Sequence, residues 1–254
     1  MASELRPVRA NLRAQRLYVA DDLAAGARLT CTPGQANYLS NVLRLRAGEE
    51  VLLFNGRDGE WRAEVVAETK RALTLRIGEH VRPQAGGPDI DYLFAPLKRA
   101  RIDYMAQKAT EMGVARLRPV LTRRTAQGRV NLARMRANVI EAAEQCGVLR
   151  LPELDPPEPL ARVIAAWDVT RTLIFCDEDS PAHDPLAILG GLAPTALGVL
   201  IGPEGGFAAE ERAALLNRPN VVRIALGPRI LRADTAAVAA LALVQAVLGD
   251  WGRA

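Results

Sequence analysis

Residues 198–212 read GVLIGPEGGFAAEER, and this stretch decides the fold class. Its apolar start is typical of a buried β-strand, and the segment from Phe207 onward is typical of the start of a helix. Between them lies a glycine-rich loop, in which backbone N–H and C=O groups can approach a ligand closely. A strand, a glycine loop and a helix in this order indicate an α/β protein whose ligand lies beyond the strand end.

The glycine loop does not have the composition of a phosphate-binding loop. Gly202, Gly205 and Gly206 fit neither GxxxxGK[ST] nor GxGxxG, and Glu204 would repel a pyrophosphate. A neutral heterocycle or a cation suits the loop better, and S-adenosylmethionine combines an adenine with a sulfonium and an ammonium group. A tight strand-to-helix turn that binds nothing explains the spacing of the glycines about equally well.

A second glycine-containing loop follows within residues 224–238, which read IALGPRILRADTAAV. We expect a strand to end at Leu226, a loop to contain Gly227, and Asp234 or Thr235 to cap the last helix. Ligands of open α/β sheets lie beyond the carboxyl ends of the strands. The two loops therefore predict one site at neighbouring strand ends. Arg229 and Arg232 would project from the second loop, either into this site or into surface salt bridges.

The pattern along the chain predicts two domains. Short β-like runs dominate up to residue 82, with a hairpin signal at NGRDG and one helix at GQANYLSNVLRL. The segment 82–90, RPQAGGPDI, has the composition of a linker. We therefore predict a β-rich domain over 1–82, a linker over 83–89 and a second domain over 90–254.

The second domain alternates between strand and helix patterns, which predicts a mostly parallel sheet. The predicted strands are DYLFAPL, RLRPVLT, RTLIFCDE, ALGVLIG and NVVRIAL, and the predicted helices are RIDYMAQKATEMG, NLARMRANVIEAAEQCG and DTAAVAALALVQAVLGD. The last helix is apolar nearly all round. Such a helix belongs to the core, to a subunit interface, or to both.

The basic residues are clustered. The chain of 254 residues carries a net charge of +4, and seven arginines lie within 116–136, with no acidic residue between Glu111 and Glu141. Smaller clusters are formed by Arg6, Arg9, Arg13 and Arg16, and by Lys98, Arg99 and Arg101. A GC-rich genome would explain the arginine content, but the clustering favours a nucleic-acid partner.

Several classes of protein are disfavoured. Cys31, Cys146 and Cys176 are far apart and lack CxxC spacing, which argues against a disulfide framework or a zinc site and fits a reducing cytoplasm. His80 and His183 are the only histidines, so we expect no metal site. No run of 18 apolar residues and no secretory signal are present, so we expect no membrane span.

The two glycine motifs together resemble one known family. LIGPEGGF followed by LGPRILRADTAAV is similar to the ribosomal small subunit methyltransferase E family, SPOUT-class enzymes that methylate N3 of a uridine in 16S ribosomal RNA. YLSNVLRLRAGEEVLLFNG resembles the family's N-terminal PUA-like domain, and LKRARIDYMAQKATEMGVARLRPVLTRRT and EAAEQCGVLRLPEL resemble its central segments. The chain departs from the family's common RTET at residues 232–235, which read RADT, so a hydroxyl is lost and the carboxylate is one methylene shorter.

The resemblance implies a fold, a cofactor and partners. The fold would be an N-terminal PUA-like β-barrel domain and a C-terminal SPOUT α/β domain with a trefoil knot. The cofactor would be S-adenosylmethionine. The partners would be 16S ribosomal RNA or the small ribosomal subunit, and a second copy of the chain in a homodimer. A non-enzymatic RNA-binding or ribosome-assembly protein is the main alternative, and a nucleotide-dependent enzyme is disfavoured by the missing phosphate motifs.

These considerations give a set of candidate site residues. Cofactor binding is expected from Leu200, Ile201, Gly202, Pro203, Glu204, Gly205, Gly206, Leu226, Gly227, Ile230, Leu231, Arg232, Thr235 and Ala236. RNA binding is expected from Arg13, Arg16, Arg44, Arg46, Lys98, Arg99, Arg123, Arg124 and Arg129. Arg232 is the candidate catalytic residue, because a fixed guanidinium stabilises the negative charge that develops on uracil when its N3 proton leaves. No general base stands out.

Overall fold

The computed structural model describes residues 14–68, 72–126, 128–180, 184–193 and 196–252. Arg13 and His183 lie outside the described residues, as does the side chain of Arg99. The chain divides into two compact units. The first contains the described residues up to Gly86 together with Ala143–Leu151, and the second contains Gly87–Ala142 and the described residues from Pro152 onward.

The first unit is built on a five-stranded sheet of order β1-β3-β4-β5-β2. The strands are β1 (Arg16–Tyr18), β2 (Arg28–Thr30), β3 (Glu50–Phe54), β4 (Glu60–Glu68) and β5 (Leu73–Arg82). The β1–β3 pair is parallel and the other pairs are antiparallel. Among the described residues the short strands β1 and β2 lie at the two edges of this mixed sheet, which agrees with the predicted β-rich first domain.

The predicted hairpin joins β3 to β4. Asn55 Oδ1 accepts hydrogen bonds from the backbone N–H groups of Arg57 and Asp58, both at 2.9 Å, which closes the turn. The predicted helix is α1 (Pro33–Asn37), which continues into one π-helical turn over Tyr38–Val42. It begins with a capping box between Thr32 and Gln35.

The second unit is built on a parallel sheet of order β12-β10-β11-β6-β7-β8, with β9 pairing to β7. The strands are β6 (Ile90–Phe94), β7 (Arg116–Leu121), β8 (Glu153–Leu154), β9 (Glu158–Pro159), β10 (Thr172–Cys176), β11 (Leu197–Ile201) and β12 (Val221–Ile224). The helices are α2 (Arg99–Glu111), α3 (Leu132–Cys146), α4 (Leu160–Ala165), α5 (Pro185–Gly190), α6 (Ala209–Leu216) and α7 (Ala233–Val247). Every pair of strands is parallel, which confirms the predicted sheet.

The central strands explain the apolar runs of the sequence. Every residue of β6 and of β11 is buried, as expected for strands covered on both faces. Gly198 of β11 is required by packing, because a Cβ there would lie 2.5 Å from the Trp167 ring. Within the described part of the chain, no helix is long and apolar enough to cross a membrane.

The end of α3 was assigned to the second domain from the sequence, but residues 143–151 pack in the first unit. Ala143 and Leu149 form a small core with Phe54. The carbonyl of Gly147 accepts a hydrogen bond from Arg82 Nη2 at 2.9 Å. Burial of these apolar side chains against Phe54 explains why residues 143–151 pack in the first unit although they follow the predicted domain boundary in sequence.

The start of α7 also differs from the prediction. Arg232 is the residue that precedes the helix, and its side chain makes no capping hydrogen bond. Asp234 lies inside the first turn, where its negative charge is favourable at a helix N-terminus. One face of α7 is buried, including Ala240, Leu241 and Val244, so the helix belongs to the core.

Candidate functional site

A cavity of about 300 Å³ lies at the carboxyl ends of three neighbouring strands. Its wall consists of residues 176–179 after β10, 201–204, 206 and 207 after β11, 225–231 after β12, and parts of α6 and α7. Because β10 pairs with both β11 and β12 in parallel, the three strand ends meet at one edge of the sheet. Both glycine loops of the sequence therefore enter one cavity.

Most of the predicted cofactor-binding residues line this cavity. They are Ile201, Gly202, Pro203, Glu204, Gly206, Leu226, Gly227, Ile230, Leu231 and Ala236. Leu200 does not, because alternation along β11 directs it into the buried core with Phe175. Gly205, Arg232 and Thr235 are exposed positions of the chain and also lie off the cavity wall.

The sequence prediction missed the loop after β10. Cys176, Asp177, Glu178 and Asp179 line the cavity, as do Phe207 and Arg212. RTLIFCDE was correctly predicted to be a strand. Since ligands lie beyond the carboxyl ends of such strands, the loop after it was a candidate for the cavity wall. The order of the strands, with β10 between β11 and β12, was the missing information.

The cavity wall is rich in carboxylates, most of which are held by arginines. Asp177 is buried and pairs with Arg223 Nε at 2.9 Å and with Arg212 Nη2 at 3.1 Å. Glu204 pairs with Arg101 of α2. Among the described residues Glu178 has no ion-pair partner, and the wall also carries the guanidinium of Arg229.

The single thiol of the wall is kept neutral. Burial raises the pKa of Cys176 to about 12. A thiol with this pKa is protonated at neutral pH, and a protonated thiol is a poor nucleophile. We therefore assign Cys176 to the wall of the cavity and not to covalent catalysis.

The glycine loop has a fixed shape. The N–H of Gly206 donates to the carbonyl of Pro203 at 2.9 Å, which closes a tight turn, and Gly206 has a φ of 70°. A Cβ at Gly202 would lie 2.5 Å from the Phe207 ring, which itself packs edge-on against Phe175. Glycine is therefore needed at these two positions for different reasons.

The basic loop after β7 is attached to the glycine loop. Arg124 Nη1 donates to the carbonyl of Gly205 at 2.7 Å. The backbone N–H of Arg123 donates to Glu211 Oε1 at 2.8 Å, and the N–H of Ala208 donates to Oε2 of the same carboxylate at 3.0 Å. The predicted RNA-binding loop and the predicted cofactor loop are thus neighbours in space.

The predicted RNA-binding residues fall into two groups. Arg44, Arg46, Lys98, Arg123, Arg124 and Arg129 are exposed, as a phosphate contact requires. Arg16 is buried, and its Nε lies 2.8 Å from Glu60 Oε1. We remove Arg16 from the predicted set, because a guanidinium that is 1% exposed and ion-paired cannot reach a phosphate.

The arginine-rich stretch 116–136 is less free than its sequence indicated. Arg116 pairs with Glu153, Arg118 with Asp155 and Arg134 with Asp103. These acidic residues are distant in sequence. The absence of acids within the stretch therefore did not show that its arginines lack ion-pair partners. Arg123, Arg124 and Arg129 are exposed in the loop between β7 and α3, and Arg136 is exposed on α3.

Fold and cavity define an α/β protein with a ligand-sized cavity at the carboxyl ends of a parallel sheet, beside an exposed basic loop. Comparison with known families agrees with this class. Residues 86–245 match the model of an RNA methyltransferase domain, and residues 32–78 match that of an RNA methyltransferase PUA domain. The chain belongs to this family of RNA methyltransferases.

Individual relatives are similar over nearly the whole chain. Ribosomal RNA small subunit methyltransferase E of Synechocystis is 30% identical, covering 92% of this chain and 78% of the relative. The protein of the same name from Rickettsia conorii is 28% identical, covering 92% and 96%. A crystal structure of the protein of that name from Neisseria gonorrhoeae, bound to S-adenosylmethionine, is 26% identical with a TM-score of 0.85, covering 94% of this chain and 99% of that one.

Proposed function

We propose that this protein transfers a methyl group from S-adenosylmethionine to N3 of a uridine in the RNA of the small ribosomal subunit. The observation that carries the proposal is the single cavity formed by both glycine loops at the strand ends. The names of the relatives and the cofactor bound to the Neisseria gonorrhoeae protein support it. A protein that only binds RNA has no need of such a cavity.

The residues of the cavity fit this cofactor. Ile201, Leu226 and Leu231 offer apolar surface to an adenine ring, and the loop backbone offers N–H and C=O groups for its edge. Glu178, which has no ion pair among the described residues, offers a carboxylate to a sulfonium or an ammonium group. The absence of both phosphate-binding motifs from the glycine loops disfavours a phosphate-bearing cofactor such as ATP or NAD.

S-adenosylmethionine supplies an electrophilic methyl group for an in-line displacement. This chain would supply position, exclusion of water and electrostatic stabilisation. N3 of uracil must lose its proton before it can attack, and negative charge then spreads over the ring. Arg232 lies just before α7, is exposed, and has no ion pair among the described residues, so its charge is available to that ring.

The exposed cations would dock the RNA. Lys98 precedes α2, and Arg123, Arg124 and Arg129 lie in the loop after β7. Arg44 and Arg46 lie in the first unit, within the region that matches the PUA domain. Phosphate contacts from such residues position an RNA without reading its sequence.

Three finer features rest on the family resemblance. They are a trefoil knot in the second unit, a homodimer in which each cofactor site lies near the partner subunit, and a location in the cytoplasm. Val247 and Trp251, at and beyond the end of α7, are exposed apolar residues that a second copy of the chain could cover.

Calorimetry with S-adenosylmethionine separates this proposal from its rivals. We expect saturable one-site binding, and no binding of ATP or NAD under the same conditions. An RNA-binding protein without methyltransferase activity would bind RNA and leave S-adenosylmethionine unbound. A nucleotide-dependent enzyme would bind ATP or NAD instead.

A further inference from the structure

We propose that Arg124 is a positioning residue that couples RNA binding to cofactor binding, an inference that rests on the function proposed above. Arg124 lies off the cavity wall, in the exposed turn that follows β7. Its side chain nevertheless reaches the glycine loop of the cavity. One residue therefore faces both the surface that would meet RNA and the loop that would hold the cofactor.

The turn that carries Arg124 has a defined shape. Thr122 N–H donates to Thr125 Oγ1 at 2.8 Å, and Thr125 N–H donates to the carbonyl of Thr122 at 3.1 Å. Glu211 then holds this turn against the start of α6 through the two backbone N–H groups described above. Because α6 directly follows the glycine loop, a displacement of the turn is transmitted to that loop.

Arg124 makes the direct contact with the glycine loop. Its Nη1 donates to the carbonyl of Gly205 at 2.7 Å, and its aliphatic stem lies 3.6 Å from the position of a Cβ at Gly205. The next residue, Gly206, lines the cavity, and Glu178 Oε1 lies 3.0 Å from the position of a Cβ there. The hydrogen bond from Arg124 therefore fixes the peptide that presents Gly206 to the cavity.

The same guanidinium can bind a phosphate at the same time. It has five N–H donors, and the bond to Gly205 is made from Nη1 alone. A phosphate that held the other donors would fix the guanidinium in the orientation that also holds Gly205. RNA would then raise the affinity for the cofactor, and by linkage the cofactor would raise the affinity for RNA by the same factor.

Arg123 provides a matched control. It is adjacent in sequence, carries the same charge and is 69% exposed, and its Nη1 lies 3.7 Å from Glu210 on the surface of α6. Its attachment to the glycine-loop region is through its backbone N–H, which a substitution retains. Arg123→Ala and Arg124→Ala thus remove equal charge from the same turn, and only the second removes the bond to Gly205.

The test is calorimetric titration of S-adenosylmethionine, with and without a 16S ribosomal RNA transcript, into the full-length protein and its variants. For the wild type we expect RNA to raise the cofactor affinity at least about fivefold. Arg124→Ala should bind the cofactor about tenfold more weakly without RNA, because a charged hydrogen bond is lost, and RNA should no longer raise its affinity. Arg123→Ala should bind RNA more weakly, because it loses a docking cation, but it should retain the cofactor affinity without RNA and, at saturating RNA, the rise in cofactor affinity. Arg124→Lys should recover part of both.

The outcomes are distinguishable. If the wild type binds no S-adenosylmethionine, the proposed function falls and the role of Arg124 falls with it. If the wild type binds it and Arg124→Ala matches the wild type in affinity or in the effect of RNA, the role of Arg124 is overturned and the proposed function stands. Thermal unfolding of each variant checks that a loss of affinity is not a loss of fold, and Arg124→Lys carries the test if the alanine variant does not fold.

Discussion

Gly202 offers a sharp test of the cofactor cavity. A Cβ at this position would lie 2.5 Å from Cε2 of the Phe207 ring and 3.0 Å from two further ring atoms. The ring would have to retreat by about 1 Å to restore an ordinary carbon–carbon separation. Retreat is opposed by the edge-on contact of Phe207 with Phe175, whose ring centroid is 5.1 Å away.

The size of the effect follows from the cost of overpacking, which is about 1–3 kcal/mol for a well-packed site. In the free protein the loop can shift to relieve part of this strain, but a bound cofactor requires the original shape. If the strain falls on the bound state, Gly202→Ala should weaken S-adenosylmethionine binding about 5- to 150-fold. This loss of cofactor affinity should be measurable in the absence of RNA.

Gly205→Ala is the matched control for this variant. Among the described residues, a Cβ at Gly205 would meet the Arg124 side chain alone, at an ordinary 3.6 Å, and Gly205 does not line the cavity. Calorimetry on both variants should therefore find weakened binding for Gly202→Ala and wild-type affinity for Gly205→Ala. Equal affinities in the two variants, or wild-type affinity in Gly202→Ala, would refute the assignment of this cavity to the cofactor.

Three other predictions concern charged residues. Arg232→Ala should lower the single-turnover methylation rate about 10²–10³-fold, the effect expected when one charge-stabilising donor is lost, and should change the cofactor affinity little. A normal methylation rate combined with weak RNA binding would make Arg232 a docking residue. Arg129→Ala should reduce the log–log salt slope of RNA affinity by up to about one unit, and an unchanged slope would exclude a phosphate contact. Glu60→Ala should lower the free energy of unfolding by about 3 kcal/mol in urea titrations, because it removes the buried carboxylate that pairs with Arg16 and Arg82. Unchanged stability would contradict these pairings.

Much of the second unit was predictable because its strands are apolar runs and its helices repeat with a period of 3.6 residues. Buried strands such as β6 and β11 leave this signature whatever their position in the sheet. The order of the strands leaves no comparable signal, since it depends on which faces pack together. The loop after β10, with Asp177 and Glu178, was therefore missed although its strand was found.

The clustering of charges in the sequence was the least reliable indicator of which basic residues are available to bind RNA. Arg16 and Arg134 belong to basic clusters in the sequence, yet each is paired with a carboxylate distant in the chain. Local sequence shows which charges are adjacent, whereas folding decides which are neutralised. The same limit applies to Arg124, whose bond to Gly205 spans 81 residues and could not be read from either motif alone.

Methyl transfer itself can be measured on a defined substrate. The purified protein is incubated with 16S ribosomal RNA, or with small ribosomal subunits, and S-adenosylmethionine carrying a labelled methyl group. The RNA is then digested to nucleosides, which are separated and identified by mass spectrometry. We expect the label in 3-methyluridine from a single site, and none when Arg232 is replaced by alanine and the reaction is stopped within one wild-type turnover. Label in a ribose-methylated or C5-methylated nucleoside, or no label in either substrate while S-adenosylmethionine binds, would contradict the proposed reaction.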